Sequence, residues 1–321
     1  MFQIGVNKMF SIGIDIGGMS IKIGVVDKNG KIIKEGRVKT AKTAEKCVED
    51  MAVLINSLLD ELSLKIKDIK GIGVGCPGAV TSETGVVDFL PNLGWDNVPL
   101  AKMLKKYFDI PVKISNDANV AALAEAVYGA AKNYDTCIMF TLGTGVGGGM
   151  IINKKLFEGG YSRGAELGHI TLFLDGEECT CGRRGCIECY ASATALIKQT
   201  KVAMIKDKNS LMWDAVNGDI NNVDGKTAFE TSKKGDETAL KVVDTYVYYL
   251  AESMLNMFNI FRPEVFILGG GISAQGDYLI NKLKAYCEKF DYGYKRAPRT
   301  EILVASLGND AGIIGAAALL K

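Results

Sequence analysis

Apolar and polar positions alternate in short runs from residue 10 to residue 38: FSIGIDIGG, then SIKIGVVD, then KIIKEGRV, punctuated by Gly17-Gly18 and Asn29-Gly30. A period of two broken by tight-turn residues predicts a meander of three strands. AEKCVEDMAVLINSLLDEL carries the wider spacing of an amphipathic helix, and GIGVGCPG (71–78) reads as a buried strand. FLPNLGWDNVP is a loop. It is followed by a helix (LAKMLKKYF), a strand (PVKISNDA) and a helix (NVAALAEAVYG) that Asn116 or Asp117 is placed to cap.

The opening theme returns at 137–153, where CIMFTLGTGVGGGMIIN is again strand, glycine turn, strand. Two readings fit: one duplicated β-turn-β unit with a copy in each domain, or two unrelated hairpins. Residues 191–262 are mostly helical in pattern, VFILGGGIS is a strand running into a glycine turn, and GNDAGIIGAAALL is a terminal helix of small residues. Strands alternating with helices predict α/β sheets under helical cover. The length of 321 residues suits two domains. We place a smaller N-terminal α/β lobe at 1–125 and a larger one at 126–307, with the hinge near 125–135 and the last helix, 308–321, packing back on the first lobe.

Composition narrows the function. Basic and acidic residues number 38 and 37, leaving +1, which argues against a nucleic-acid stripe or a membrane-binding basic patch. Gly5, Asn7, Lys8 and Asp15 interrupt any signal-peptide core, and no apolar run approaches a membrane span. Residues 1–8 read as a loose extension before Met9, and the expected location is the cytoplasm, where thiols stay reduced. Cys47, Cys76, Cys137 and Cys287 stand among apolar neighbours and read as core residues.

The remaining cysteines crowd near the single histidine in GHITLFLDGEECTCGRRGC. His169, Cys179, Cys181 and Cys186 offer one nitrogen and three sulfurs, the tetrahedral set that Zn²⁺ favours. Cys179 and Cys181 are too close in sequence for easy disulfide geometry. Gly182 and Gly185 let the chain turn around an ion, Arg183 and Arg184 can offset its thiolate charge, and Cys189 is a lesser candidate on the next helix. With four protein ligands such a zinc is structural, and the free ring nitrogen of His169 becomes a fixed N–H donor toward a substrate oxygen. The competing reading is a crowd of thiols without metal.

Two glycine loops suit phosphate. In DIGGMSIK, Gly17 and Gly18 expose backbone N–H groups beside Asp15, which can hold hydrated Mg²⁺. In TLGTGVGGG, glycines flank the hydroxyls of Thr141 and Thr144. The plain alternative is two tight β-turns that bind nothing. A third run, Gly269-Gly270-Gly271, favours a nucleotide held between two lobes. GDINNVDGKT has the wrong spacing for a Walker loop, and GIGVGCPG lacks the helix a dinucleotide fingerprint requires.

Together DIGGMSIK, GCPG, NDAN, TLGTGVGGG, ELGH, CTCGRRGCIE and LGGGIS resemble the ROK family, nearly end to end, with the look of its glucokinase branch. The resemblance implies an actin-like (ribonuclease H-like) duplicated two-lobed fold with a cleft between the lobes. It also implies ATP-dependent phosphorylation of a hexose, with Mg²⁺ and structural Zn²⁺, in a homodimer or homotetramer. By position, Asp117 is the general base, working at an ordinary carboxylate pKa. Asn116, Glu166, His169 and Glu188 bind sugar hydroxyls, with Gly78 and Asn92 near the same pocket. Gly17, Gly18, Thr141, Gly143, Thr144 and Gly145 form the phosphate loops, with Asp15 and Lys22 beside the first, and Gly270 and Gly271 form the adenosine wall. The resemblance breaks at Met19, where the family usually has Thr, so the first loop lacks a hydroxyl. Glucose is the expected sugar, before N-acetylmannosamine, N-acetylglucosamine, allose or fructose, and polyphosphate stays open as donor. A sugar-sensing repressor of the same family would need a helix-turn-helix, for which the residues before the first strand leave no room.

Overall fold

The structure, a computed structural model, describes residues 10–293, 296 and 298–321; the extension read at 1–8 lies outside them. The predicted meander is present as β1 (Phe10–Ile16), β2 (Ser20–Asp27) and β3 (Ile32–Lys39). Ile12, Ile14 and Ile16 oppose Val25, Ile23 and Ile21 across β1 and β2, so all six lie on one buried face, while Gly13 and Gly24 lie on the other. Helix α1 (Ala44–Glu61) starts where Thr43 Oγ1 accepts from Lys46 N at 3.3 Å, and it buries Cys47, Val48, Met51, Ile55, Leu58 and Leu59. Strand β4 (Ile69–Cys76) follows.

The loop read at 89–99 is only partly a loop. Three short strands, β5 (Ala79–Thr81), β6 (Val86–Leu90) and β7 (Trp95–Val98), pair in a small antiparallel sheet around the Pro91–Gly94 turn. Strands this short, broken by Pro and Gly, carry almost no period to detect. Then come α2 (Leu100–Lys105), β8 (Val112–Asn116) and α3 (Asp117–Val127). The main sheet runs β3-β2-β1-β4-β8, with β1, β2 and β3 antiparallel and β4 and β8 parallel to β1.

A second sheet repeats this plan. Its strands are β9 (Cys137–Leu142), β10 (Val146–Ile152), β11 (Lys155–Phe157), β12 (Val265–Gly269) and β13 (Glu301–Val304), in the order β11-β10-β9-β12-β13. Again the two last strands run parallel to the first. The recurring strand order decides between the two readings of the hairpin echo: the fold is an α/β, actin-like duplication. Between β11 and β12 lie α4 (Glu188–Ala191), α5 (Ala193–Lys206), α6 (Met212–Ala215), α7 (Thr227–Ser232) and the long α8 (Glu237–Phe261). Helix α9 (Asp277–Phe290) precedes β13, and α10 (Ala311–Ala318) ends the chain.

Contacts divide the chain into two units. One takes the chain up to Asn133, then Gly149–Ala165 and Ser306–Lys321; the other takes Tyr134–Gly148 and Glu166–Ala305. In the first unit, α10 lies on β1, β4 and α3 at backbone distance. A Cβ on Gly13 would strike the Ile313 carbonyl, one on Gly73 the Ala316 carbonyl, and one on Gly315 the Val120 carbonyl. The helix manages this approach because its own sequence, AGIIGAAA, is nearly all small. Gly73→Ala should therefore lower unfolding free energy by about 2 kcal/mol or more in urea titration, the cost of overpacking. Gly18→Ala, whose Cβ meets nothing within 4 Å, should leave stability close to wild type.

Candidate active site

The first unit holds Asp15, Gly17, Gly18, Lys22, Gly78, Asn92, Asn116 and Asp117; the second holds the other candidate residues. Asp15 and Lys22 are register partners across β1 and β2, with Lys22 Nζ 3.7 Å from Asp15 Oδ2. Burial raises the Asp15 pKa, and Lys22 opposes that rise by charge and by hydrogen bond. Gly312 of α10 touches this carboxylate: a Cβ there would come within 2.6 Å of Asp15 Cγ. The turn between the strands closes through Gly17 N to Ser20 O at 3.0 Å, and Thr40 Oγ1 donates to Gly17 O at 2.7 Å. Met19 stands at this turn with 88% of its surface exposed.

Asn116, and not Asp117, caps α3. Its Oδ1 accepts from Ala118 N at 2.9 Å, and its Nδ2 donates to Gly78 O at 3.2 Å. The cap thus ties the β8–α3 junction to the turn after β4, where Gly78 has φ +83° and no room for a side chain against Phe89 O. Asn92 lies in the exposed turn two residues beyond Leu90, which Gly78 also meets. Asp117 is the first helical residue, its Oδ1 also 2.9 Å from Ala118 N. Part of its side chain reaches solvent, yet the protein packed around the carboxylate withholds most of its hydration. This burial raises its pKa; the Ala118 N–H opposes the rise and the Asp15 charge adds to it. The expected ordinary value is thereby corrected upward.

In the second unit, the predicted cluster is assembled. One ligand atom each from His169, Cys179, Cys181 and Cys186 lies within 4.8 Å of all the others. Cys179 Sγ is 3.6 Å from His169 Nδ1, and Cys181 Sγ is 3.7 Å from Cys186 Sγ. A tetrahedral zinc with sulfur at ~2.3 Å and nitrogen at ~2.0 Å sets such edges at about 3.5–3.8 Å. A disulfide needs ~2.0 Å. The donor set and spacing fit a tetrahedral ion, and Nδ1 is the ring nitrogen on the sulfur side, so Nε2 faces away from it.

The loop is shaped by Gly185 (φ +76°), where a Cβ would strike the Phe173 carbonyl. Cys179 N to Arg183 O at 2.8 Å closes it. The two arginines do more than offset thiolate charge. Arg183 donates to His169 O at 3.3 Å and Thr171 Oγ1 at 2.7 Å, fixing the backbone that carries the imidazole, while Arg184 pairs with Glu178 at 2.7 Å. Cys189 donates to Glu178 O at 3.5 Å and stays outside the cluster. Cys47, Cys76, Cys137 and Cys287 are buried, as read.

Glu188, the first residue of α4, joins this cluster to the second glycine loop. Its Oε2 accepts from Val146 N at 3.1 Å, its Oε1 lies 4.0 Å from Cys179 Sγ, and Gly145 leaves the space it occupies. Glu166 precedes the short turn Leu167–His169, whose His169 N donates to Glu166 O at 3.0 Å. The start of α5 draws in the loop carbonyls: Ala193 N donates to Gly143 O and Thr194 Oγ1 to Thr144 O, both at 2.8 Å. Thr141 is the register partner of Gly269, and Gly270 (φ +81°) sits against Leu142 so closely that a Cβ would come 2.5 Å from its carbonyl oxygen. Both glycine runs therefore share one strand end. A cavity of about 400 Å³ opens beside them, lined by Thr144, Gly145, Glu188, Ser192, Thr194 and Lys198. Thr40 and Thr194 were not legible beforehand, because each acts through one hydrogen bond to a distant carbonyl.

Comparison with known proteins fits this geometry. The sequence profile of the ROK family matches residues 11–321. A glucokinase of Thermotoga maritima is 37% identical over 98% of both chains. The solved structure of a ROK family glucokinase from Streptomyces griseus, in complex with glucose and AMPPNP, superposes with a TM-score of 0.80 at 33% identity. It covers 97% of this chain and 98% of that one. The xylose repressor of Bacillus subtilis is 28% identical over 97% of this chain and 77% of its own length. Among the described residues, no helix is long and apolar enough to cross a membrane.

Elemental analysis of the purified protein should find about one tightly held divalent ion per chain, lost in Cys181→Ala. Cobalt exchange should give the intense visible bands of a tetrahedral thiolate site. A metal-free, fully folded protein would refute the assignment of these four side chains as ligands.

Proposed function

The chain belongs to the ROK family as an ATP-dependent sugar kinase, and we propose that its acceptor is glucose, phosphorylated on the O6 hydroxyl with Asp117 as general base. The observation that carries this reading is the position of Asp117. It opens α3 with Asn116 taking the capping duty, and its carboxylate is partly desolvated with a raised pKa. A base of raised pKa is a better proton acceptor, provided the pH keeps it ionised.

The reaction joins the sugar hydroxyl oxygen to the γ-phosphorus of ATP, breaks the bond to the β,γ-bridging oxygen and leaves ADP; the hydroxyl proton passes to Asp117. Asn116 Nδ2, held toward Gly78, and the carboxylates of Glu166 and Glu188 are proposed to bind other hydroxyls, with Gly78 and Asn92 bordering the sugar. His169 is proposed to donate from Nε2, its Nδ1 being turned to the cysteines. A structural Zn²⁺, for which the four donors fit, would hold the thiolates and fix that ring, and Mg²⁺ near Asp15 would neutralise phosphate charge. Gly17, Gly18 and Lys22, and in the second unit Thr141, Gly143, Thr144 and Gly145, are proposed to receive the phosphates, and Gly270 and Gly271 the adenosine. The named glucokinases among the relatives support glucose, and a cytoplasmic location suits its substrates.

A coupled ADP assay over a hexose panel tests the substrate. Glucose should give the highest kcat/KM, and a faster N-acetylmannosamine, N-acetylglucosamine, allose or fructose would replace it. Asp117→Asn should keep glucose binding within a few-fold while kcat falls about 10²–10⁴-fold. In the native enzyme the base works only when ionised. Because its pKa is raised, kcat should decline with falling pH through a midpoint above the usual carboxylate range. Met19→Thr, which restores a hydroxyl at an exposed turn, should lower KM for ATP by about three- to tenfold, the worth of one hydrogen bond.

A further inference from the structure

Glu125 is wholly buried, and the sequence offers it no obvious reason to be a carboxylate: its helix reads NVAALAEAV. The structure provides one. Oε1 accepts from Ser306 N and Leu307 N, both at 2.8 Å; Oε2 accepts from Ala130 N at 2.7 Å and Ser306 Oγ at 3.0 Å. Its own carbonyl accepts from Gly129 N at 3.1 Å and Ala131 N at 3.0 Å. Gly129 has no side chain to collide with the carboxylate, and any Cβ there would overlap it. Buried charge is tolerated only when donors replace its lost water, and here four do.

The donors stand at particular places in the chain. Residues 130–131 directly precede the passage into the second unit at 133/134, and 306–307 directly follow the return at 305/306. Glu125 is also on the helix that begins with Asp117, about 12 Å along its axis at 1.5 Å per residue. We propose that Glu125 is a positioning residue for phosphoryl transfer, its buried carboxylate joining the Asp117 helix and both of these chain passages into one rigid block. In-line transfer loses rate steeply when reacting groups are misplaced by about 1 Å, so a block of this kind protects kcat rather than ground-state binding. The inference rests on Asp117 as base and on the sugar-kinase activity.

The test compares Glu125→Gln, Glu125→Asp and Ser306→Ala with the native enzyme, well below each melting temperature. Glu125→Gln keeps the shape but leaves Ala130 N–H facing an amide N–H or, flipped, strands the 306–307 amides. Its kcat should fall at least tenfold with KM for sugar and ATP changed less than about threefold. Glu125→Asp, too short to reach both segments, should fall similarly, and Ser306→Ala, which removes one donor, by about two- to threefold. A lowered melting temperature with native kcat per folded molecule would show a merely structural role and overturn the proposal, as would a rise in KM that accounts for the loss. Should Glu125→Gln fail to fold, Ser306→Ala and Glu125→Asp decide by the same split. Asp117→Asn, assayed alongside, separates the two readings: turnover retained there but lost in Glu125→Gln discards the base and keeps the positioning role.

Discussion

Backbone-to-backbone packing of α10 on the first sheet is the constraint from which the first unit's chemistry follows. The terminal helix presses on β1 and β4 through Gly13 and Gly73, on α3 through Gly315, and on the Asp15 carboxylate through Gly312. Strand β1 ends just beyond Asp15, β8 ends at Asn116, and α3 begins at Asp117. One small-residue helix thus sets how near two carboxylates come. Their mutual charge and their shared loss of hydration both push Asp117 toward a higher pKa. A longer side chain at Gly13, Gly73 or Gly315 would separate the elements, and one at Gly312 would strike the Asp15 carboxylate itself.

The second unit is organised by a side-chain network instead. Arg183 holds the His169 carbonyl, the three cysteines hold the ring side, and Glu188 carries the connection on to Val146 at the glycine loop. The cysteine loop and the phosphate-type loop are distant in sequence yet one carboxylate apart in space. Loss of the cluster would therefore reach the loop through Glu188 as well as the His169 imidazole. Helix α5 fastens the same loop from the other side through the Gly143 and Thr144 carbonyls. Its backbone shape is determined by hydrogen bonds, while its glycines remove the side chains that would fill the adjoining cavity.

Carboxylates in contrasting surroundings have different uses. Glu125 is fully supplied with donors and serves as a fixed anchor, whereas Asp117 reaches solvent on one side and is short of donors on the other, which suits its proposed role as proton acceptor. The two sit on one helix, so the rigidity supplied at one end is available at the other. Glu158 shows a third use. It accepts from Ser115 Oγ at 2.6 Å and Ser82 Oγ at 2.8 Å, linking the end of β8 to the segment that runs toward Glu166.

The sequence by itself determined the periodic elements, the repeated strand–glycine–strand theme and the metal-type ligand set, because each is a local spacing of residue types. It left open whether Asn116 or Asp117 caps α3, since both side chains can reach the same amide. It gave no sign of β6 and β7 as strands, too short and too interrupted for a period. Only the tertiary structure showed that the two hairpins belong to matching sheets, that Arg183 also ties down the His169 carbonyl, and that Glu125 joins three chain segments. Those facts depend on contacts between residues as far apart as 125 and 306. No pattern along the chain records which distant amide a buried carboxylate will meet; that is settled when the elements pack and every buried polar group must find a partner.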